Sequence, residues 1–249
     1  MLRPRLIPVL LLLEGSLVKT CRFKGLNYIG DPCNTARIFN ELEVDELIVL
    51  DIGCSKKGTA IDFALIKNLA EECFMPLTYG GGVKSVDDAA KLYEIGIEKV
   101  SINTAAIKTP SLIEDLAYEY GSQAVVVSID YLKTQNDSHV VLQKFDTDPV
   151  TWATEAQRRG AGEILLTSVD REGTWLGLDL KTINDVVRSI QIPLIATGGA
   201  RSLQDVRDTM STTGATSIGI GNLAVYQKEN CGVLVHYPQA KDLAELYDV

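Results

Sequence analysis

Two kinds of residue in this chain are spaced as chemistry would space them. Three aspartates each follow a short apolar run: Asp51 closes VLD, Asp130 closes VVVSID and Asp170 follows LLTSV. A carboxylate at the end of a buried strand can act as a general acid or base, or it can cap the loop that follows. Capping suits Asp170, either role suits Asp51, and Asp130 is the candidate for chemistry. The second kind is glycine. Gly80, Gly81 and Gly82 lie between an apolar run and a helical pattern, as do Gly198 and Gly199; Asn103-Thr104 and Gly221-Asn222 each follow one strand later. Bare backbone there lets amides approach an anion, and the start of the next helix adds partial positive charge. One glycine pair is ordinarily a turn and nothing more; two pairs at matching places call for a common cause.

That cause is an internal repeat. Asp51 and Asp170 are 119 residues apart, Gly81 and Gly198 are 117 apart, GGGVKS (80–85) resembles TGGARS (197–202), and INTAA (102–106) recurs as IGNLA (220–224). Two half-barrels related by a twofold repeat account for all four. Apolar runs predict strands at 6–13, 46–52, 75–79, 98–103, 123–130, 163–169, 193–197 and 217–221. Amphipathic patterns predict helices near 32–43, 59–73, 86–95, 110–120, 149–160, 180–190 and 203–212, with start signals at Asp31-Pro32, Ser85 and Thr109-Pro110. The strands lack a polar alternation, as expected of parallel strands covered on their outer face. Eight alternations in 249 residues favour an α/β fold, a closed (β/α)8 TIM barrel occupying residues 1–249 as one domain, over an open doubly wound sheet. The aspartates and glycines then share the carboxyl-terminal mouth, and the expected ligand carries a phosphate at each end. Arg5, Glu46, Lys99 and Glu163 stand at or near strand starts, at the opposite mouth. Four such charges can close a salt-bridged ring, although charges on that face ordinarily contribute to stability.

Composition narrows the partners. Hydrophobic residues make up 46% and charged residues 23%, enough for a large core. A net charge of -9 argues against nucleic acid, which needs a basic face, but leaves room for a phosphorylated small molecule held by local amides. Five cysteines without a C-x-x-C pair, and only His139 and His236 as histidines, suggest neither a zinc site nor a disulfide framework; a reducing cytoplasm fits best. Nothing calls for a metal or another cofactor. Arg3 and Arg5 before Leu6 to Leu13 imitate a signal peptide, but the run lacks a cleavage pattern and falls far short of the ~20 residues that cross a bilayer. It reads as a buried strand, and no membrane is involved. Residues 131–147 suggest a small hairpin; that segment and 16–30 are candidates for loops that order with ligand. The tail after Tyr226 has no clear role.

Over nearly its whole length the chain resembles the cyclase subunit of imidazole glycerol phosphate synthase. The matching stretches are VDELIVLDI (44–52), YGGG (79–82), EKVSINTAA (98–106), GSQAVVVSID (121–130), RGAGEILLTSVDREGT (159–174) and ATGGA (196–200). The resemblance implies a lyase, a barrel that binds a long bisphosphate and forms an imidazole ring with ammonia from a glutaminase partner docked at the amino-terminal face. It implies that Arg5, Glu46, Lys99 and Glu163 form the gate admitting ammonia, and that Glu98 takes part in docking. Lys19, Asp51, Gly82, Asn103, Gln123, Asp130 and Thr167 match active-site or ligand-contact positions. Gly81, Thr104, Glu172, Gly173, Gly198, Gly199, Gly221 and Asn222 complete the phosphate loops, with Glu172 where the family usually has aspartate.

One departure matters most. The family's catalytic pair is an aspartate ending the first strand and another ending the fifth. The second matches Asp130, but the first falls at Leu11, 119 residues earlier. Leucine exchanges no proton, so a two-carboxylate mechanism is lost; Glu14, three residues on, falls on the other face. LLLEGSLVKT (11–20), ECFMPLTYGGG (72–82) and VLVHYP (233–238) resemble a branch found with surface-polysaccharide genes and associated with amidation of acetamido sugars. That resemblance implies an ammonia conduit serving a separate sugar amidotransferase. The alternatives are a working cyclase of histidine biosynthesis and a scaffold that stimulates the glutaminase, for which retained phosphate loops would be needless. A two-phosphate isomerase fails on the same leucine.

Overall fold

Eight apolar runs pair in parallel and close on themselves. In the computed structural model, which describes residues 4–134, 138–142, 146–229 and 231–247, the strands are β1 (Arg5–Leu13), β2 (Ser16–Cys21), β3 (Lys24–Gly30), β4 (Leu47–Asp51), β5 (Leu77–Gly80), β6 (Lys99–Ile102), β7 (Val125–Lys133), β8 (His139–Val141), β9 (Glu163–Ser168), β10 (Leu194–Thr197) and β11 (Ser217–Ile220). The order β11-β10-β9-β7-β6-β5-β4-β1 is parallel throughout, and β11 also pairs with β1. The chain is therefore a closed (β/α)8 barrel, with helices around it.

Two buried layers explain why the strands read as continuous apolar runs. Ile7, Val9, Ile48, Val126, Leu165 and Ile195 form a cluster inside the barrel, against which Leu50 packs. Their neighbours Leu6, Leu10, Leu47, Val49, Val125, Val127, Ile164 and Leu166 belong to the larger layer between barrel and helices. With both faces buried, alternation of polarity disappears while alternation of direction remains. On β1, Arg5, Ile7, Val9 and Leu11 thus share the inward face, and on β7 so do Val126, Ser128 and Asp130.

The pairing sharpens the repeat. Leu11 lies opposite Leu50, and Asp130 lies opposite Thr167. Leu50 pairs with Gly80, and Thr167 with Thr197. Leu11 is accordingly the half-barrel counterpart of Asp130. The counterpart of Asp51 is Ser168, not Asp170 as the 119-residue spacing suggested; Asp170 lies two residues further on, in the loop.

Local signals hold in part. Asp31 caps Pro32–Glu41 through Asn34 N, and Ser85 with Asp88 forms a capping box on Val86–Glu94. Thr109 does not start the next helix: it is the C-cap of a separate short helix, Thr104–Lys108, and Pro110 is the N-cap of Ser111–Tyr120, without a side-chain cap. The helix expected over 59–73 spans Phe63–Glu71, with another at Ile52–Lys57. Residues 16–30, expected as a loop, form the antiparallel pair β2–β3 on the edge of β1. Glu14 occupies the turn between β1 and β2 with φ 49°. The hairpin in 131–147 exists as β7–β8, with 135–137 and 143–145 outside the described residues. The tail also has structure: Tyr226 bridges to Val233, and Ala240–Tyr247 is helical. Among the described residues no helix is long and apolar enough to cross a membrane.

Candidate functional site

Parallel strands bring all their carboxyl ends to one mouth, and most of the candidate residues meet there. Asp130 projects inward at the end of β7, and Asn103 Nδ2 donates to its Oδ2 at 2.7 Å. Asn103 Oδ1 is buried without a hydrogen-bond partner. Thr167 is buried beside Asp130 in the same register. Across the barrel Leu11 is half-buried between Val18 and Leu50. The mouth therefore has a polar side, built by β6, β7 and β9, and an apolar side, built by β1 and β4.

Asp51 caps. Its Oδ1 accepts from Gly53 N at 2.8 Å and from Cys54 N at 3.4 Å, which starts the helix Ile52–Lys57. Asp170 does likewise for the β7 hairpin, accepting from Lys133 N at 2.7 Å.

The glycines are required by their surroundings. Gly81 has φ 112°, and a Cβ there would stand 2.3 Å from Asp51 O; Gly198 has φ 99°, and its Cβ would stand 2.6 Å from Ser168 O. Since Asp51 and Ser168 are repeat counterparts, the two halves make the same close approach. Gly82 and Gly199 also have positive φ, so each pair presents bare backbone to the mouth. Thr104 opens the short helix after β6, and Gly221 and Asn222 occupy the equivalent place after β11.

The second-half cradle meets the β2–β3 hairpin. Lys19 is 5% exposed and Glu172 8%. Lys19 Nζ lies 3.8 Å from Glu172 Oε1, while Glu172 Oε2 accepts from Thr20 Oγ1 at 3.0 Å and Phe23 N at 3.2 Å. Burial lowers the Lys19 ammonium below its ordinary range, and Glu172 only partly offsets this. Asn222 Nδ2 donates to Gly173 O at 3.0 Å, which ties the cradle to the loop after β9.

At the other mouth the four charges form a closed ring. Arg5 reaches Glu46 at 2.6 Å and also pairs with Glu163; Lys99 Nζ reaches Glu46 at 2.9 Å and Glu163 at 2.9 Å. Both glutamates are at most 4% exposed. Burial alone would lower the Arg5 guanidinium, but Glu163 and then Glu46 outweigh it and hold the pKa above its ordinary value. Thr78 and Ser217 join the ring, through Glu46 at 3.0 Å and Arg5 at 2.7 Å. The sequence reading missed these two. The repeat was an available signal for Ser217 alone: Ser217 pairs with Ile195 as Lys99 pairs with Thr78, which makes Ser217 the half-barrel counterpart of Lys99.

Gln123 does not join the carboxyl-terminal mouth. It lies in the turn Ser122–Ala124 before β7, exposed on the amino-terminal face, with its Nε2 donating to Tyr120 O at 3.3 Å. A residue two positions ahead of a parallel strand can only stand at that strand's starting end. Glu98 is exposed on the same face, where it accepts from Leu77 N at 2.7 Å. Phe74 and Tyr118 are 86% and 91% exposed, Phe74 ahead of β5 and Tyr118 near the end of its helix.

Fold and geometry together define a (β/α)8 barrel with repeated backbone cradles at one mouth and a charged ring at the other. The chain belongs to the histidine biosynthesis protein family, whose model matches residues 5–230. It is 43% identical, over 98% of its own length and 99% of the relative's, to a Pseudomonas aeruginosa protein provisionally named imidazole glycerol phosphate synthase subunit hisF2. A provisionally named HisF subunit from Leptospira interrogans is 42% identical over 99% of the chain and all of the relative. The imidazole glycerol phosphate synthase subunit HisF of Streptococcus mutans is 42% identical over 87% of the chain and 88% of its own length.

Proposed function

We propose that this barrel is an imidazole glycerol phosphate synthase-type subunit that takes ammonia from a glutaminase partner and, lacking the cyclase's first carboxylate, supplies it for sugar amidation in surface-polysaccharide biosynthesis. The glutaminase docks on the amino-terminal face, where Glu98, Gln123, Phe74 and Tyr118 are exposed. The ring of Arg5, Glu46, Lys99 and Glu163 is the gate. Ammonia then crosses the barrel toward a phosphorylated small molecule held by Gly81, Gly82, Asn103 and Thr104 after β5 and β6, and by Lys19, Glu172, Gly173, Gly198, Gly199, Gly221 and Asn222 around β10 and β11. A separate sugar amidotransferase receives the ammonia in the cytoplasm, and no metal or cofactor takes part.

The observation that carries the reading is Leu11 on the inward face, in the half-barrel position of Asp130. Proton transfer needs a titratable group within hydrogen-bond reach of the reacting atoms, and an aliphatic side chain supplies none. Asp130 and Thr167 keep one side of the mouth fit for binding and for a single proton transfer. The second reading, a lyase that makes imidazole glycerol phosphate, draws support from the Asn103–Asp130 contact and from both cradles.

The gate is tested with the chain, its glutaminase and the sugar amidotransferase assembled together. The fraction of glutamine-derived nitrogen reaching the acceptor is compared with that lost as free ammonium. Lys99→Ala is expected to lower the captured fraction while glutamine hydrolysis continues; unchanged capture would remove the gate assignment.

A further inference from the structure

The amino-terminal end of β1 extends below its ladder with β4. That ladder begins at Val9 and Ile48, so Leu6 and Asp45, three steps lower in the same register, are not joined by it. Leu6 is fully buried, and its amide and carbonyl on the β4 side need partners. Two side chains supply them. Asp45 Oδ2 accepts from Leu6 N at 3.3 Å, while the Tyr237 hydroxyl donates to Leu6 O at 2.7 Å and stands 3.2 Å from Asp45 Oδ2. Leu6 adjoins Arg5 and Asp45 adjoins Glu46, so this tie spans two members of the ring.

Tyr237 comes from the chain's far end. After the bridge between Tyr226 and Val233, the backbone follows the short helix Asn222–Val225, with Leu234 N on Val225 O at 2.9 Å and His236 N on Ala224 O at 3.0 Å. It then passes Tyr237 and enters the helix Ala240–Tyr247. This strap is not packed solid: a cleft of about 410 Å³ separates His236 to Asp242 from Leu203 and Leu223. Beside this cleft, the two backbone bonds, the hydroxyl contact and the buried Tyr237 ring hold the strap against the barrel.

We infer that Tyr237 is a positioning residue for the charged ring: by tying Leu6 to Asp45 it fixes the spacing of Arg5 and Glu46, and through it the C-terminal strap holds the ring closed. A shift of the strap that withdraws the hydroxyl leaves Leu6 O unpaired and lets the start of β1 move, carrying Arg5 away from Glu46 and Glu163. The consequence for ammonia passage rests on the gate reading above; the positioning of Arg5 does not.

The test uses the isolated chain. Arg5 Nε donates to Ser217 Oγ at 3.1 Å, so exchange of its Nε proton, followed by nitrogen-15 NMR, reports whether Arg5 is held. Tyr237→Phe keeps the ring and removes the hydroxyl. It is expected to speed this exchange about tenfold, the weight of one buried hydrogen bond. Tyr131→Phe is the control, because it also loses a buried hydroxyl bond, to Asp179 Oδ2 at 3.0 Å, at the end of β7 opposite the charged ring; it is expected to leave Arg5 exchange unchanged. Asp45→Ala removes the other half of the tie and should act as Tyr237→Phe does; it carries the test should Tyr237→Phe fail to fold. An Arg5 rate within about twofold of wild type in the tie variants would overturn the inference, as would equal acceleration by Tyr131→Phe. Faster exchange with unchanged nitrogen capture in the assembled complex would uphold the positioning and count against the gate alone.

Discussion

Replacing Lys99 by alanine removes one of the two cations holding a pair of buried glutamates. In the intact ring the Lys99 ammonium contacts Glu46 at 2.9 and 3.1 Å and Glu163 at 2.9 Å, with a side chain 19% exposed. Breaking a buried ion pair by deleting one partner costs about 3–5 kcal/mol, because the remaining charge stays desolvated. The lower end applies here, since Arg5 still reaches both glutamates and Thr78 still donates to Glu46. A loss of about 3 kcal/mol in a domain of this size lowers Tm by roughly 6–12 °C. The assay is thermal and urea denaturation of wild type, Lys99→Ala, Glu163→Gln and the double variant. The double variant should be less destabilised than the two singles summed, because each single strands a charge that the double does not. A loss below about 1 kcal/mol for Lys99→Ala would place the ring among ordinary surface pairs and refute the claim that it is a desolvated closure.

Other outcomes follow from the same geometry. Leu11→Asp restores a carboxylate opposite Asp130 and is expected to confer measurable ammonium-driven turnover of the bisphosphate cyclase precursor; no turnover would show that Leu11 is not the sole block. Gly81→Ala and Gly198→Ala should each cost about 1–3 kcal/mol from the forced positive φ, with more added by the backbone contact, and denaturation should find the two halves similarly sensitive. Burial lowers the Lys19 pKa in the folded chain, so between that value and its ordinary 10.5 the unfolded state binds more protons and stability rises with pH. Lys19→Met should raise Tm at neutral pH and flatten this alkaline rise; a Tm below that of wild type would mean that Lys19 contributes more through Glu172 than its burial costs.

Much of this architecture is legible in the chain. Buried parallel strands need apolar residues on both faces, so each barrel strand stands out as an apolar run, and the repeat fixes their closure. Glycines at forced positive φ, as at Gly81 and Gly198, are visible because no other residue suits the place. Less legible is anything set by through-space pairing. β2 and β3 lack a continuous apolar run, since β2 buries Lys19 and Thr20 and most of β3 is exposed, so they resemble a loop. Asp51 and Asp130 look alike in sequence, and only their opposite phases along β4 and β7 make one a cap and the other a residue of the mouth. The resemblance puts Gln123 among ligand contacts, whereas its position ahead of β7 puts it on the opposite face. Tyr237 and Asp45 act below the point where the β1–β4 ladder begins, and no local pattern records that.

The central claim is that the barrel keeps its binding mouth and its ring while lacking cyclase chemistry. The most direct measurement is turnover of the bisphosphate cyclase precursor by the purified chain with an ammonium salt and no glutaminase, with binding of the precursor followed in parallel. The precursor is expected to bind, with no imidazole glycerol phosphate formed. Formation of that product at a rate set by the chain would contradict it and make the protein a cyclase that functions with leucine at position 11.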